Sequence, residues 1–144
     1  MLHPVPFKAE HLMRFNLQPT QRCLAPYLVE DQLRLLESPH SHTLMDGNTP
    51  IMCGGALPYH QHHARMWAYV AGDIGPRRFA EGFLLVRRWL DTLPYRRLDA
   101  TCADSFIEGH RWLRAFGFTR EDANGMQGFE IDGGAAALYA KVKP

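Results

Sequence analysis

RMWAYVAGDIGPRRFAEGFLLVRRWLD, residues 65–91, is the stretch whose reading decides the fold. Met66 to Ala71 is an apolar, aromatic-rich run of strand length. Gly72, Gly75 and Pro76 then punctuate a turn, and proline suits the first turn of a helix, where its missing N–H costs nothing. Phe79, Phe83, Val86 and Leu90 recur at helical spacing and fall on one face, so a long amphipathic helix runs on to about Leu93, with Pro94 closing it. A strand that feeds a helix through a glycine-bearing turn makes a place for an anion. The unpaired N–H groups and the positive end of the helix dipole both point into it. Arg77 and Arg78 stand in the first turn, where the dipole favours acids, which implies a negative ligand arriving from outside.

The rest of the composition narrows the class. At 144 residues the chain is expected to form one domain, residues 1–144, with a core of its own. A formal net charge of +1 gives no footprint for nucleic acid or an acidic membrane. No apolar run reaches the roughly 18 residues of a membrane span, and no basic-then-apolar leader opens the sequence. Cys23, Cys53 and Cys102 are an odd set without CxxC spacing, so neither a disulfide framework nor a zinc ribbon follows. A cytoplasmic protein is the plain expectation.

Outward from the central stretch, Leu2 to Phe7 reads as an edge strand because Pro4 and Pro6 interrupt it. Ala9 to Phe15 has the length of one or two helical turns. Ala25 to Glu37 reads as a helix with Leu28, Val29, Leu33, Leu35 and Leu36 on a broad apolar face. Asp46-Gly47-Asn48 marks a tight turn between His42–Met45 and Ile51–Leu57, and a second turn over Pro58 to Ala64 leads to the central strand, 66–71. Arg97 to Ala103 alternates as a strand. Ser105 to Phe116 reads as a helix with Phe106, Ile107, His110, Leu113 and Phe116 inward, a Ser105–Glu108 capping box at its start and Gly117 at its end. Two further strands are expected at 127–131 and 136–142. A crossover helix makes its flanking strands parallel, whereas hairpins make theirs antiparallel. The fold class is therefore α+β: a mixed, mostly antiparallel sheet with one parallel pair splayed around a slot, and helices on both faces.

This order resembles the GNAT superfamily of acyl-CoA-dependent N-acyltransferases. Trp112-Leu113-Arg114-Ala115-Phe116-Gly117-Phe118 is similar to the signature that ends the family's fourth helix, and Met52-Cys53-Gly54-Gly55-Ala56-Leu57 to its third strand. In length and shortened motifs the chain resembles the small GNAT-like proteins of tailed phages. The resemblance implies acetyl-CoA as cofactor, its pyrophosphate on backbone amides at the long helix's N-terminus. The fit to the family's Q/R-x-x-G-x-G/A pattern is Arg77-Arg78-Phe79-Ala80-Glu81-Gly82, with Ala80 for a glycine; Gly72-Asp73-Ile74-Gly75 is the alternative. It further implies that backbone N–H groups near Val70 and Ala71 polarise the thioester carbonyl, and that Ser105 takes the place of an asparagine contact. The family's proton-donating tyrosine falls on Leu113, so no catalytic residue is assigned.

Single residues carry competing readings. His60, His62 and His63 offer metal-type nitrogens, yet neighbours in an extended chain point apart, and a polar hairpin loop is the simpler reading; no metal is assigned. His63 also stands as a possible general base. Cys102 and His110 are a thiol and an imidazole without directed spacing, so Cys102 reads as an inert thiol. Arg77 and Arg88 share a face turned from the apolar stripe, and Glu81 and Asp91 stand four residues after Arg77 and Arg87 to pair with them. Two functions stay open. One is an N-acetyltransferase acting on an unidentified small-molecule or protein amine, with the cofactor lying between strands 66–71 and 97–103. The other is a catalytically inactive, virion-associated scaffold with a phage or host protein as partner. Neither reading involves nucleic acid or membrane, and neither specifies an oligomeric state.

Overall fold

The computed structural model describes residues 1–144, the side chain of Thr20 excepted. In chain order the elements are β1 (Leu2–Pro6), α1 (Ala9–Met13), a 3-10 segment (Pro19–Tyr27), α2 (Glu30–Leu33) with a further 3-10 turn (Arg34–Leu36), β2 (Ser41–Asp46), β3 (Thr49–His60), β4 (His63–Val70), α3 (Gly75–Leu90), β5 (Arg97–Ala103), α4 (Ile107–Ala115), β6 (Thr119–Arg120) and β7 (Ala136–Val142). Hydrogen bonding orders the strands β1-β2-β3-β4-β5-β7-β6. The sheet is mixed: β4 and β5 are parallel, while β1–β2, β2–β3, β5–β7 and β6–β7 are antiparallel. No described helix is long and apolar enough to cross a membrane. By contact density the chain packs as two compact units, Met1–Leu57 with Ala68–Leu93, and Pro58–Trp67 with Pro94–Pro144.

The first unit begins at the sheet edge, where β1 explains its own prolines. Phe7 N–H bonds inward to the Ser41 carbonyl, while Leu2 N–H turns outward to the Glu81 carboxylate. Backbone direction alternates along a strand, so Pro4 and Pro6 share the outward phase of Leu2. Their missing N–H groups therefore cost the ladder nothing and leave the edge a poor template for another strand. Glu81 is thereby engaged with β1 and forms no pair with Arg77, contrary to the intrahelical pairing expected from their spacing.

Helices cover both faces of this unit. On one, His11 of α1 lies 2.8 Å from the Thr43 hydroxyl. On the other, α3 sets Gly82 against Met52 and Leu44, and Trp89 against His42. The helix expected over 25–37 is broken. Pro26 sits inside a 3-10 segment, Val29 is extended, and only four α-helical residues follow. Proline's lost N–H prevents one continuous ladder. Of the predicted apolar face Leu33 is buried, whereas Leu35 stands 71% exposed. The hairpins are tighter than the turn residues suggest: β3 runs on to His60 and β4 opens at His63, which leaves Gln61-His62 as the whole connection.

The second unit centres on β5 and β7, paired from Arg97↔Val142 to Ala103↔Ala136, with Tyr139 fully buried. The end of α4 follows its sequence signal. Gly117 has φ +90°, its N–H bonds to the Arg114 carbonyl, and Phe118 N–H reaches the Leu113 carbonyl, both at 2.9 Å, with Phe118 buried behind them. The expected strand 127–131 does not form. Instead Arg120 and Asp122 organise the return to β7: the Asp122 carboxylate accepts from the Arg120 side chain and from the N–H groups of Gly125 and Leu138. On the edge of β7 away from β5 the pairing strand is thus Thr119–Arg120, with a single further bridge at Met126↔Ala136.

Two stability outcomes follow from this packing. A Cβ on Gly55 would lie 2.8 Å from Ser41 Cβ and 2.9 Å from the His40 carbonyl, backbone that cannot step aside. Gly55→Ala should cost about 1–3 kcal/mol in urea unfolding, the usual range for overpacking. Asp122 is held far below the usual carboxylate range, first by the Arg120 hydrogen bond and then by the Leu138 N–H. A depressed native pKa contributes stability above the unfolded value of about 4, and that stability is lost as pH falls below it. Urea midpoints measured from pH 6 to pH 3 should fall steeply for the native chain and less steeply for Asp122→Asn.

Candidate functional site

In the first unit, β4 passes through Ala71–Ile74 into α3, whose first residue is Gly75, at φ +77°. The cap position belongs to Ile74, a buried hydrocarbon side chain that cannot accept an N–H. Ile74 N–H is taken by the Ala71 carbonyl, and Pro76 has none to offer. That leaves the N–H groups of Gly75 and Arg77 outside the helical ladder, with the exposed Arg77 side chain beside them.

Of the residues expected to cradle a phosphate, Arg77 alone keeps its N–H outside the ladder. Phe79, Ala80 and Gly82 lie beyond the first turn, where α3 uses their N–H groups for its own bonds. Gly82 also faces the sheet: a Cβ there would meet Met52 Cε at 2.8 Å, so this glycine serves helix packing. The Gly72–Gly75 alternative is the segment that enters the helix. Arg78 is likewise engaged. Its Nε donates to the Ile74 carbonyl at 2.7 Å, Nη2 to the Asp73 carbonyl at 2.9 Å, and Nη1 to Asp46 at 3.3 Å. It clasps the turn through the Ile74 and Asp73 carbonyls and the Asp46 carboxylate.

The end of β4 is partly occupied by the chain itself. Ala71 N–H bonds to the Ile51 carbonyl on β3 at 2.9 Å, so it is not available to polarise an acyl group. On the opposite edge Gly72 N–H bonds to the Asn16 carbonyl at 2.6 Å, and Leu17 bridges to Ala71. The alternation turns the buried Val70 N–H away from β3, to the same edge as that of Gly72. Asn16 to Gln18 thus lies along the β4 edge, close enough that a Cβ on Gly72 would meet the Leu17 carbonyl at 3.2 Å. No local sequence signal marks this contact, because it joins backbone groups more than fifty residues apart.

In the second unit Ser105 is exposed and lies two residues before α4, whose cap position falls to Phe106. The predicted capping box is absent, since Phe106 N–H closes a tight turn onto the Ala103 carbonyl and shifts the helix start to Ile107. Ile107, predicted inward, is 60% exposed. Cys102 packs against Gly109, and burial, assisted by Glu130, pushes its thiol up to about 11. His110 bonds to Tyr139 and the Asp104 carbonyl, so the two do not form a nucleophile pair.

The histidine loop resolves into an ion-paired cluster. His63 Nε2 lies 2.8 Å from Asp99 Oδ2, Arg65 Nε donates to Oδ1 at 2.6 Å, and Arg97 stands 3.6 Å away. Burial alone would raise the Asp99 carboxyl, but the hydrogen bonds from Arg65 and His63 hold it below its usual range. Tyr59 packs on His63 and under Arg65. The polar-hairpin reading missed Asp99. In RLDATCA it shares the polar phase of Arg97 and Thr101, opposite Leu98 and Ala100, so no local pattern marked it as a buried carboxylate. Among the described residues no group of His, Cys, Asp or Glu is arranged to hold a metal ion.

Comparison of this geometry with solved structures gives a consistent answer. A GNAT-family acetyltransferase from Bacillus anthracis superposes with a TM-score of 0.69 at 11% identity, covering 98% of this chain and 94% of that one. The fold is the GNAT fold. Ard1 from Thermoplasma volcanium gives a TM-score of 0.71 at 12% identity over 99% and 98% of the two chains, and the ribosomal-protein-S18-alanine N-acetyltransferase from Escherichia coli gives 0.71 at 12% over 97% and 92%. No protein-family model and no curated protein matches the sequence. The GNAT likeness therefore lies in the path of the backbone, at identities where side-chain roles are not carried over.

Thiol chemistry offers a direct check on the site. Burial pushes the Cys53 thiol far up, Cys102 is raised to about 11, and Cys23 is exposed. A thiol-reactive dye at pH 8 should label the native chain rapidly at Cys23 alone, with Cys102 and Cys53 following on unfolding. Fast labelling of Cys102 would contradict its assignment as an inert thiol.

Proposed function

We propose that this GNAT-fold chain is an acyl-CoA-dependent N-acyltransferase that takes acetyl-CoA at the N-terminal end of α3. The observation that carries the proposal is the uncapped first turn. Gly75 and Arg77 present N–H groups outside the ladder, the hydrocarbon Ile74 cannot satisfy them, and the exposed Arg77 guanidinium supplies a charge of the right sign. These residues fit a pyrophosphate; Phe79, Ala80 and Gly82 do not. Acetyl-CoA, when bound, supplies an activated thioester for attack by an amine. The Val70 N–H, turned from β3, is the donor that this reading assigns to the acyl carbonyl. Leu113 cannot protonate a leaving thiolate, so in this reading that proton comes from water or from the attacking amine.

A second reading is favoured by one observation. Asn16 to Gln18 already fills the β4 edge at Gly72, and Arg78 is committed to its own turn. Both features suit a scaffold without turnover that binds a protein partner, as a virion-associated phage protein would.

Calorimetry with acetyl-CoA separates the two. The enzyme reading expects binding in the micromolar-to-millimolar range typical of enzyme substrates. It also expects a loss of about tenfold for Arg77→Glu, in line with one charge-assisted contact. Absence of heat at about millimolar acetyl-CoA overturns it and leaves the scaffold.

A further inference from the structure

The second unit carries a cleft of about 350 Å³ that neither functional reading uses. Ile107, His110, Arg111 and Arg114 line it from one side of α4, with Asp104 just past β5 and Arg120 on β6 completing the wall. Residues at these helical spacings share a face, so the four α4 side chains converge on one place.

Most of the polar groups there are already satisfied. Arg120 Nη2 donates to Asp104 at 2.9 Å and to Asp122 at 2.8 Å, which neutralises the cleft's carboxylate. His110 Nε2 lies 2.8 Å from the Asp104 carbonyl, a group that only accepts, so this nitrogen carries the proton. His110 Nδ1 then accepts the Tyr139 hydroxyl at 2.7 Å, and the ring has no polar atom left for a ligand.

Two cations remain. Arg114 lies with its guanidinium carbon 5.8 Å from the Tyr139 ring centroid, and Arg111 is exposed. Among the described residues neither is ion-paired. A guanidinium fork matches two oxygens of a carboxylate or phosphate, and stacking on an aromatic ring pre-orients it. Beside them Ile107 leaves apolar surface uncovered.

We propose that this cleft binds a small oxyanion carried on an apolar body. Arg111 and Arg114 hold the oxygens, and Ile107 lies against the body. The volume sits at the lower end of small-ligand sites, about 300–1,000 Å³, which excludes a large carrier. The shared chemistry is the oxyanion; a phosphate ester and a carboxylic acid are its two sources.

The test is a titration of the full chain with inorganic phosphate and, separately, hexanoate, followed by NMR of the arginine Nε–H and backbone amide signals. Saturable shifts centred on Ile107, Arg111 and Arg114 are expected with one probe or both; phosphate alone points to an ester and hexanoate alone to a carboxylic acid. Arg111→Gln and Arg114→Gln should each weaken binding about tenfold, while Arg87→Gln, on α3, leaves it unchanged. If Arg114→Gln fails to fold, Arg111→Gln decides by itself. No saturable shift with either probe, or an equal loss in Arg87→Gln, overturns the proposal.

Discussion

Two parallel strands cannot be neighbours by hairpin, so something other than a turn must hold them together. Here it is a buried carboxylate. Parallel register runs from His63↔Arg97 to Arg65↔Asp99, and Asp99 collects His63 and Arg65 from β4 and Arg97 from its own strand. Each partner comes from the three-residue length over which the strands pair. A slip of one residue would turn these side chains to the other face and strand a charge without a cation, at a cost of about 3–5 kcal/mol. The register is thus fixed by electrostatics as well as by the ladder, and a crossover through α3 follows from it.

The start of α3 shows which backbone donors a helix consumes and which it leaves over. Arg77 to Gly82 has the composition of a phosphate loop, but from Arg78 onward the N–H groups are taken by the helical ladder. The helix begins earlier because Gly75 takes a positive φ and Pro76 occupies the second helical position. Donors available to a ligand are then those of Gly75 and Arg77. Arg78 turns back onto the turn, which stiffens it and removes that charge from the inventory.

Much of the order was legible. Period-two and helical spacings gave β5 at its observed bounds, the run of α3 and the stop at Gly117, and the Asp-Gly pair marked the β2–β3 turn. Each of these depends on residues within a few positions of one another. The failures came from proline and turn chemistry that the hydrophobic period does not read, with one longer-range contact at Asp122. The broken 25–37 helix, the missing 127–131 strand and the vacant Ser105 cap were settled by Pro26 in a 3-10 segment, the Asp122 hub and the tight turn at Phe106.

By itself the sequence determined the kinds of element, their succession and the need for one parallel pair, because hydrophobic period and turn chemistry are local quantities. Only the tertiary structure decided which groups were left over to act. It placed Asn16 on Gly72, drew Glu81 to β1, committed Asp99 to three cations and left Arg111 and Arg114 without an acid. A site is made of whatever polar groups remain after the fold has satisfied the rest. That remainder depends on contacts between residues tens of positions apart, which no local pattern encodes.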